Sequence, residues 1–161
     1  MDIIDFLKNL HIFSKELQIL IISTLPIIEL RGAIPIGIFL NIKPLEVFII
    51  SLIGSMIPVP FLLVFLNPIF KKIRNYSFFR KRIDKITHRT LKRINKAKTF
   101  SLISLIIFVA IPLPGTGVWT GSLAACLTNI DFKKALLAIL IGNVIAGILI
   151  TFITITTFSF F

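Results

Sequence analysis

The sequence predicts an all-α integral membrane protein of two related halves, each a broken hydrophobic segment followed by an intact transmembrane helix. Three observations predict it. Of the 161 residues, 56% are hydrophobic and 16 are Phe, against an apolar share of about 45–50% in soluble domains. The apolar residues gather in runs long enough to span a bilayer, which takes about 20 residues at a rise of about 1.5 Å each. The order of broken run, turn and clean run then occurs twice. Mean hydropathy is +0.98, so lipid is the solvent and residues 1–161 form one membrane domain.

Residues 1–16 place Ile3, Ile4, Leu7, Leu10 and Phe13 at helical spacing, with Asp2, Asp5, Lys8 and Lys15 between them. That pattern reads as an amphipathic helix lying in the interface. The acidic start and the lack of a basic n-region argue against a removable signal peptide. The first repeat spans 17–66. Its broken run, 17–40, is interrupted by Pro26, Glu29, Arg31, Gly32 and Pro35, and its clean run, 44–66, has kink points at Pro58 and Pro60.

The linker, 67–98, holds the whole charge imbalance. From Lys71 to Lys98 there are twelve Lys and Arg against Asp84 alone, whereas the rest of the chain carries six of each sign. Basic segments stay cytoplasmic, which places this linker and orients the protein in a cell (inner) membrane. Its apolar residues recur every three or four positions, the mark of a second interfacial helix. Its basic face, residues 71–98, suits anionic lipid headgroups. Because the segment is tethered to the membrane at both ends, no nucleic-acid partner is expected.

The second repeat spans 99–158, with a broken run over 99–128 and a clean run over 135–158. Leu25-Pro26, Asn41-Ile42 and Ile53-Gly54 recur as Leu113-Pro114, Asn129-Ile130 and Ile141-Gly142, without a gap, at an offset of 88. Paired interrupted segments at matching places in two halves point to a transport site between them. If the broken runs are re-entrant hairpins, each half crosses the bilayer once, the halves are inverted, and Lys133 and Lys134 lie with the linker. If they span fully, there are four crossings and those lysines lie outside. The charge rule favours the inverted, re-entrant arrangement.

Two constellations could carry chemistry. In Glu29-Leu30-Arg31-Gly32-Ala33-Ile34-Pro35, two charges sit near the middle of an apolar run, where each costs about 2.5–3.5 kcal/mol on insertion scales. Residues two apart on a regular helix cannot pair, so a break at Gly32 and Pro35 is expected to turn both toward one cavity. Arg31 offers a planar fork for phosphate or carboxylate, and Glu29 a coupling or gating acid. A static ion pair holding a hairpin tip is the structural alternative.

In Pro112-Leu113-Pro114-Gly115-Thr116-Gly117-Val118-Trp119-Thr120-Gly121, two prolines and three glycines forbid a continuous helix. Thr116 and Thr120 offer uncharged hydroxyls, and the helix ends at such a break aim partial charges into a cavity. A kink with Trp119 in the interfacial aromatic belt is the alternative. Gly54-Ser55 and Gly142-Asn143 hold equivalent places in the clean runs. The glycines suit close packing, and Asn143 is a further candidate to hydrogen-bond a broken hairpin. His11 and His88 are isolated. Cys126 is the sole cysteine, so no internal disulfide and no metal or cofactor is expected. No P-loop follows the glycines, which leaves an ion gradient or equilibration as the driving force.

The segments Pro26–Pro35 and Pro112–Gly121 together resemble the bacterial and archaeal family of small multidrug export proteins, over roughly Leu17 to Ile150. That resemblance implies transport of a small molecule without fixing the substrate. The layout is more distantly similar to the DedA superfamily, whose members pair two re-entrant hairpins bearing acidic and arginine residues and are implicated in moving lipid phosphates. This sequence departs from that pattern, having no Arg between Lys98 and Lys133. The expectation is therefore a secondary transporter with a midplane site between the broken segments. A lipid-phosphate flippase and a structural or interaction protein are the alternatives. An enzyme is not expected, because no nucleophile or metal set accompanies the motifs. So short a chain makes a thin wall around a cavity, and a homodimer follows as a partner state.

Overall fold

The computed structural model describes residues 14–75, 102–113 and 115–159. Most of the expected N-terminal amphipathic helix, the basic linker beyond Asn75, His11, His88 and Pro114 lie outside the described residues. Every regular element among the described residues is helical: α1 Lys15–Thr24, α2 Glu29–Phe39, α3 Pro44–Met56, α4 Pro58–Asn75, α5 Leu102–Ala110, α6 Val118–Leu127 and α7 Phe132–Ser159.

Proline sets the boundaries. Leu25 is extended (φ −71°, ψ 137°), because the ring of Pro26 disfavours helical backbone at the residue before it. α1 therefore stops at Thr24. α5 likewise stops at Ala110, just short of Pro112. Pro44 opens α3, where its missing N–H is no loss. Pro58 opens α4 after the single-residue interruption at Ile57, and Pro44–Leu66 still forms one stretch long and apolar enough to cross a membrane; Phe132–Phe158 is the second. The expected break at Gly32 and Pro35 is not where the chain turns. The turn occupies residues 25–28, and α2 runs through both Gly32 and Pro35.

α1 and α2 form a hairpin whose mouth is closed by Lys15 Nζ donating to the Leu40 carbonyl at 3.0 Å. At about 1.5 Å per residue each arm is about 15 Å long, half the hydrocarbon thickness of a bilayer. α5 and α6 make a second hairpin of matching size.

The same local geometry follows each hairpin. Asn41 and Asn129 both adopt left-handed backbone, φ 62° and 54°. The Ile42 N–H donates to Gly37 and the Ile130 N–H to Ala125, at 3.2 and 3.0 Å. Lys43 pairs with Glu46 at 3.5 Å, and Asp131 with Lys134 at 2.9 Å, so the charges at these matched positions are exchanged.

Two apolar cores result. One gathers Ile19, Ile22, Leu30, Ala33, Ile34, Ile42 and Val47 of the first half around Ile150 from the end of α7. The other gathers Leu105, Val109, Val118, Ala125, Cys126, Ala135, Ala138 and Ile139 around Val59 and Leu63 of α4. Each long helix thus begins in its own half's core and ends in the other's. With lipid as apolar as leucine, such contacts hold by close packing rather than by expulsion of water. Gly54 lies under the Leu20 carbonyl and Gly142 under the Ile106 carbonyl, where an added Cβ would sit 2.6 and 2.7 Å from those oxygens. Gly147 receives the Phe48 ring in the same way.

Candidate functional site

The two hairpin tips converge. Glu29 opens α2 in left-handed backbone, φ 49°, a conformation that costs a non-glycine residue about 1–2 kcal/mol. That twist swings the carboxylate off the helix face and lets it meet Arg31, two residues on. Nη1 of Arg31 lies 3.5 Å from Oε2 of Glu29, a long ion pair. Oε1 of Glu29 accepts the Trp119 backbone N–H at 3.3 Å.

The first N–H groups of a helix lack intrahelical partners, and a carboxylate there is favoured by the helix dipole. α6 has Gly117 at its own N-cap, with no side-chain oxygen to offer. Glu29 supplies that oxygen from the other hairpin. Position 29 is also the one 88 residues before Gly117. A Cβ at Gly117 would collide with both carboxylate oxygens of Glu29 and sit 2.7 Å from Nη1 of Arg31, so the glycine is what admits the carboxylate.

Arg31 ties the tips a second time. Its Nη2 donates to the carbonyls of Val109 and Ile111 at 3.1 and 3.2 Å, at the end of α5 just before Pro112. Its Nε is buried and has no partner among the described residues. Trp119 adds a third tie, its indole N–H donating to the Thr24 carbonyl at 3.3 Å. Within the second tip, the Thr116 hydroxyl bonds the carbonyls of Ile111 and Leu113 at 2.7 and 2.8 Å, and the Thr120 hydroxyl accepts the Gly117 N–H at 2.9 Å. Gly115 has φ 81°, a left-handed value that favours glycine.

Between the tips lies an open cavity of about 500 Å³. Of the residues singled out in the sequence, Glu29, Arg31, Gly32, Pro112, Gly115, Thr116, Gly117 and Thr120 line it. Pro26, Ile27, Ile28 and Leu113 also line it; the sequence marked Pro26 as a break and Leu113 as part of the second motif, but singled out none of the four as site residues. Ile27 is 89% exposed and Leu113 55% exposed. Their signal was adjacency to the tip prolines. Glu29 itself is only 5% exposed.

Other singled-out residues stand elsewhere. Pro35 lies within α2 and does not line the cavity. Trp119 acts through its two N–H groups. Gly121 packs against Val109 inside the second hairpin. Asn143 does not reach a hairpin. Its Nδ2 donates to Ser55 Oγ at 2.8 Å, joining α7 to α3 at positions 88 apart. The pairing of Gly54-Ser55 with Gly142-Asn143 was legible in the sequence, but their direct contact was not. Among the described residues, no group of His, Cys, Asp and Glu could hold a metal ion.

The sequence model of the family described as "Putative small multi-drug export protein" matches residues 29–149, which start at Glu29 and take in the second hairpin, the stretch Pro44–Leu66 and α7 as far as residue 149. No curated protein and no solved structure matches the chain.

Proposed function

The chain belongs to the small multi-drug export family, and from that premise we propose that it is a secondary transporter whose substrate site is the cavity between two re-entrant hairpins. The observation that carries this reading is Glu29. A strained, buried carboxylate at the tip of one hairpin reaches across to cap a helix of the other. Backbone strain held in place by its surroundings is a feature of sites that switch or bind.

The inverted arrangement draws support from which residues meet across the long helices. Ser55 bonds Asn143, Phe48 packs on Gly147, and Leu136 packs on the core that holds Val59. Moving back along α3 means moving forward along α7, the antiparallel sense of inverted halves. In that arrangement the turn at 129–132 lies with the basic linker on the cytoplasmic face, and the turn at 41–44 lies outside. The hairpin tips then stand near the bilayer midplane.

Mechanistically, Glu29 is the coupling acid. Ionised, it caps α6 and pairs with Arg31. Protonated, it loses the charge that favours both contacts, which loosens one tie between the tips and releases Nη1 of Arg31 to engage an anion while Nη2 stays on the Val109 and Ile111 carbonyls. Rocking one half against the other about the Ser55–Asn143 contact would expose the cavity to either side in turn.

A second reading, a flippase for lipid phosphates, is favoured by the cavity's exposed apolar rim around Arg31. One experiment separates the two and tests both. Purified protein is melted against lipophilic cations, isoprenoid and glycerolipid phosphates, and a pH series, as wild type and Glu29→Gln. A rise in Tm with cations, altered in the variant, supports the exporter, and a rise with lipid phosphates supports the flippase. No ligand shift in any class would sink the site, leaving Glu29 and Arg31 as a static clasp.

A further inference from the structure

We infer that the exposed hairpin tips are a dimer interface and that a second copy of this chain closes the cavity. The inference rests on the midplane placement of the tips proposed above.

The tips are irregular backbone. Residues 25–28 and 111–117 join helices of about half a bilayer's length, so both loops would lie deep in the hydrocarbon. The backbone N–H groups of Ile27, Ile28 and Gly115 donate to nothing among the described residues, and the carbonyl of Pro112 accepts from nothing. Pro26, Ile27, Pro112, Leu113 and Gly115 are all exposed. Arg31, beside them, keeps 20% of its side chain exposed. Lipid offers no hydrogen bonds, and non-helical backbone at membrane depth survives only inside protein or against a wet cavity. A lone copy gives this patch neither protein cover nor an enclosed chamber.

The cover must be apolar at its rim and must bring both donors and acceptors. The rest of this chain is unsuited to it. The segment before Ser14 carries Asp2, Asp5 and Lys8, and the one between Asn75 and Leu102 is dense in Lys and Arg. A second copy of the tips fits. The first tip presents unpaired donors at Ile27 and Ile28, the second an unpaired acceptor at Pro112, and both are rimmed by apolar side chains. A two-fold axis through the mouth brings the first tip of each copy against the second tip of the other, the self-complementary contact of an isologous interface. The site is then one chamber with two copies of the Glu29–Arg31 pair.

The test uses the full chain in membranes, in a Cys126→Ala background, with single cysteines at Ile27→Cys, Leu113→Cys and, on the exposed outer face of α4, Phe61→Cys. When differently tagged copies are mixed, a short thiol cross-linker is expected to join Ile27→Cys of one copy to Leu113→Cys of the other. Phe61→Cys should stay monomeric. Nitroxide labels at the same sites, read by oxygen against aqueous nickel collisions, report depth separately.

Deep labels without cross-linking between the two tips of mixed copies, with a species of 18.1 kDa by native mass spectrometry from nanodiscs, would overturn the dimer and leave the site reading intact. Shallow labels would overturn the midplane reading and this inference with it. Cross-linking only through Phe61→Cys, or free reaction of the tip cysteines with a membrane-impermeant maleimide, would also overturn it, the first by placing the interface elsewhere and the second by showing a water-filled mouth.

Discussion

The two hairpins match in layout and differ in chemistry. Each has two short helices, a proline at its tip, and a left-handed asparagine at its exit, Asn41 or Asn129. The first supplies charged side chains, Glu29 and Arg31. The second supplies backbone, namely the carbonyls of Val109 and Ile111 and the N–H of Trp119. Where the first has Glu29, the second has Gly117, and where the first has Arg31, the second has Trp119. The lesson is that two hairpins of like layout need not present the same groups to meet at their tips. One half can specialise in charge and the other in leaving room and backbone for it.

The largest way to break this division is Arg31→Ala. It removes Arg31's two hydrogen bonds to the second hairpin and leaves Glu29 without its cation. Losing one member of a mostly buried pair is expected to destabilise the fold by about 3 kcal/mol, measured by reversible unfolding in mixed micelles. A loss under about 0.5 kcal/mol, the range of ordinary surface substitutions, would mean the ties do not form.

Gly117→Ala attacks from the other side. The new methyl group enters the space of the Glu29 carboxylate, and overpacking of this kind costs about 1–3 kcal/mol. Shrinking the obstructed group distinguishes a specific clash from general strain, so Glu29→Ala in the Gly117→Ala background should be less destabilising than the two single effects added together. Additive effects would show that the positions do not touch.

The exits of the hairpins sharpen the comparison, because there the halves are alike. Asn41→Ala and Asn129→Ala each place a less tolerant residue at positive φ, and each should lose about 1 kcal/mol. Equal losses are the expectation, and a large loss at one site alone would break the equivalence. The smallest effect belongs to Asn143→Ala, which removes the hydrogen bond to Ser55. Such bonds within membranes average about 0.6 kcal/mol, so a modest fall in stability is expected, with cavity binding unchanged if the contact serves only as a pivot.

Much of the helical layout was legible in the sequence, because proline and the offset of 88 are written in single residues. Pro26 and Pro112 mark where α1 and α5 must stop, and Asn41 and Asn129 mark the turns. The position of the first break was misread, since Gly32 and Pro35 are stronger helix breakers in water than in a packed membrane helix. The pairing of Glu29 with Arg31 was expected but not its cause. A left-handed glutamate carries no signature in sequence, and only the surroundings that hold it there reveal it. The cap that Glu29 gives α6 was equally hidden, because it joins residues 90 apart through a backbone group every residue possesses.

The hydrogen bond between Ser55 and Asn143 has one more consequence. It joins equivalent positions, so on the inverted reading it lies close to the axis that exchanges the halves, and turning the molecule over brings back nearly the same outline. Such a body has little in its shape to tell it which way up to insert. Outside Lys71–Lys98 its charges sum to zero, so on that reading the stretch between the halves would be the compass for the whole chain. Neutralising that stretch should leave folding of each half untouched and let the protein enter the bilayer in both orientations.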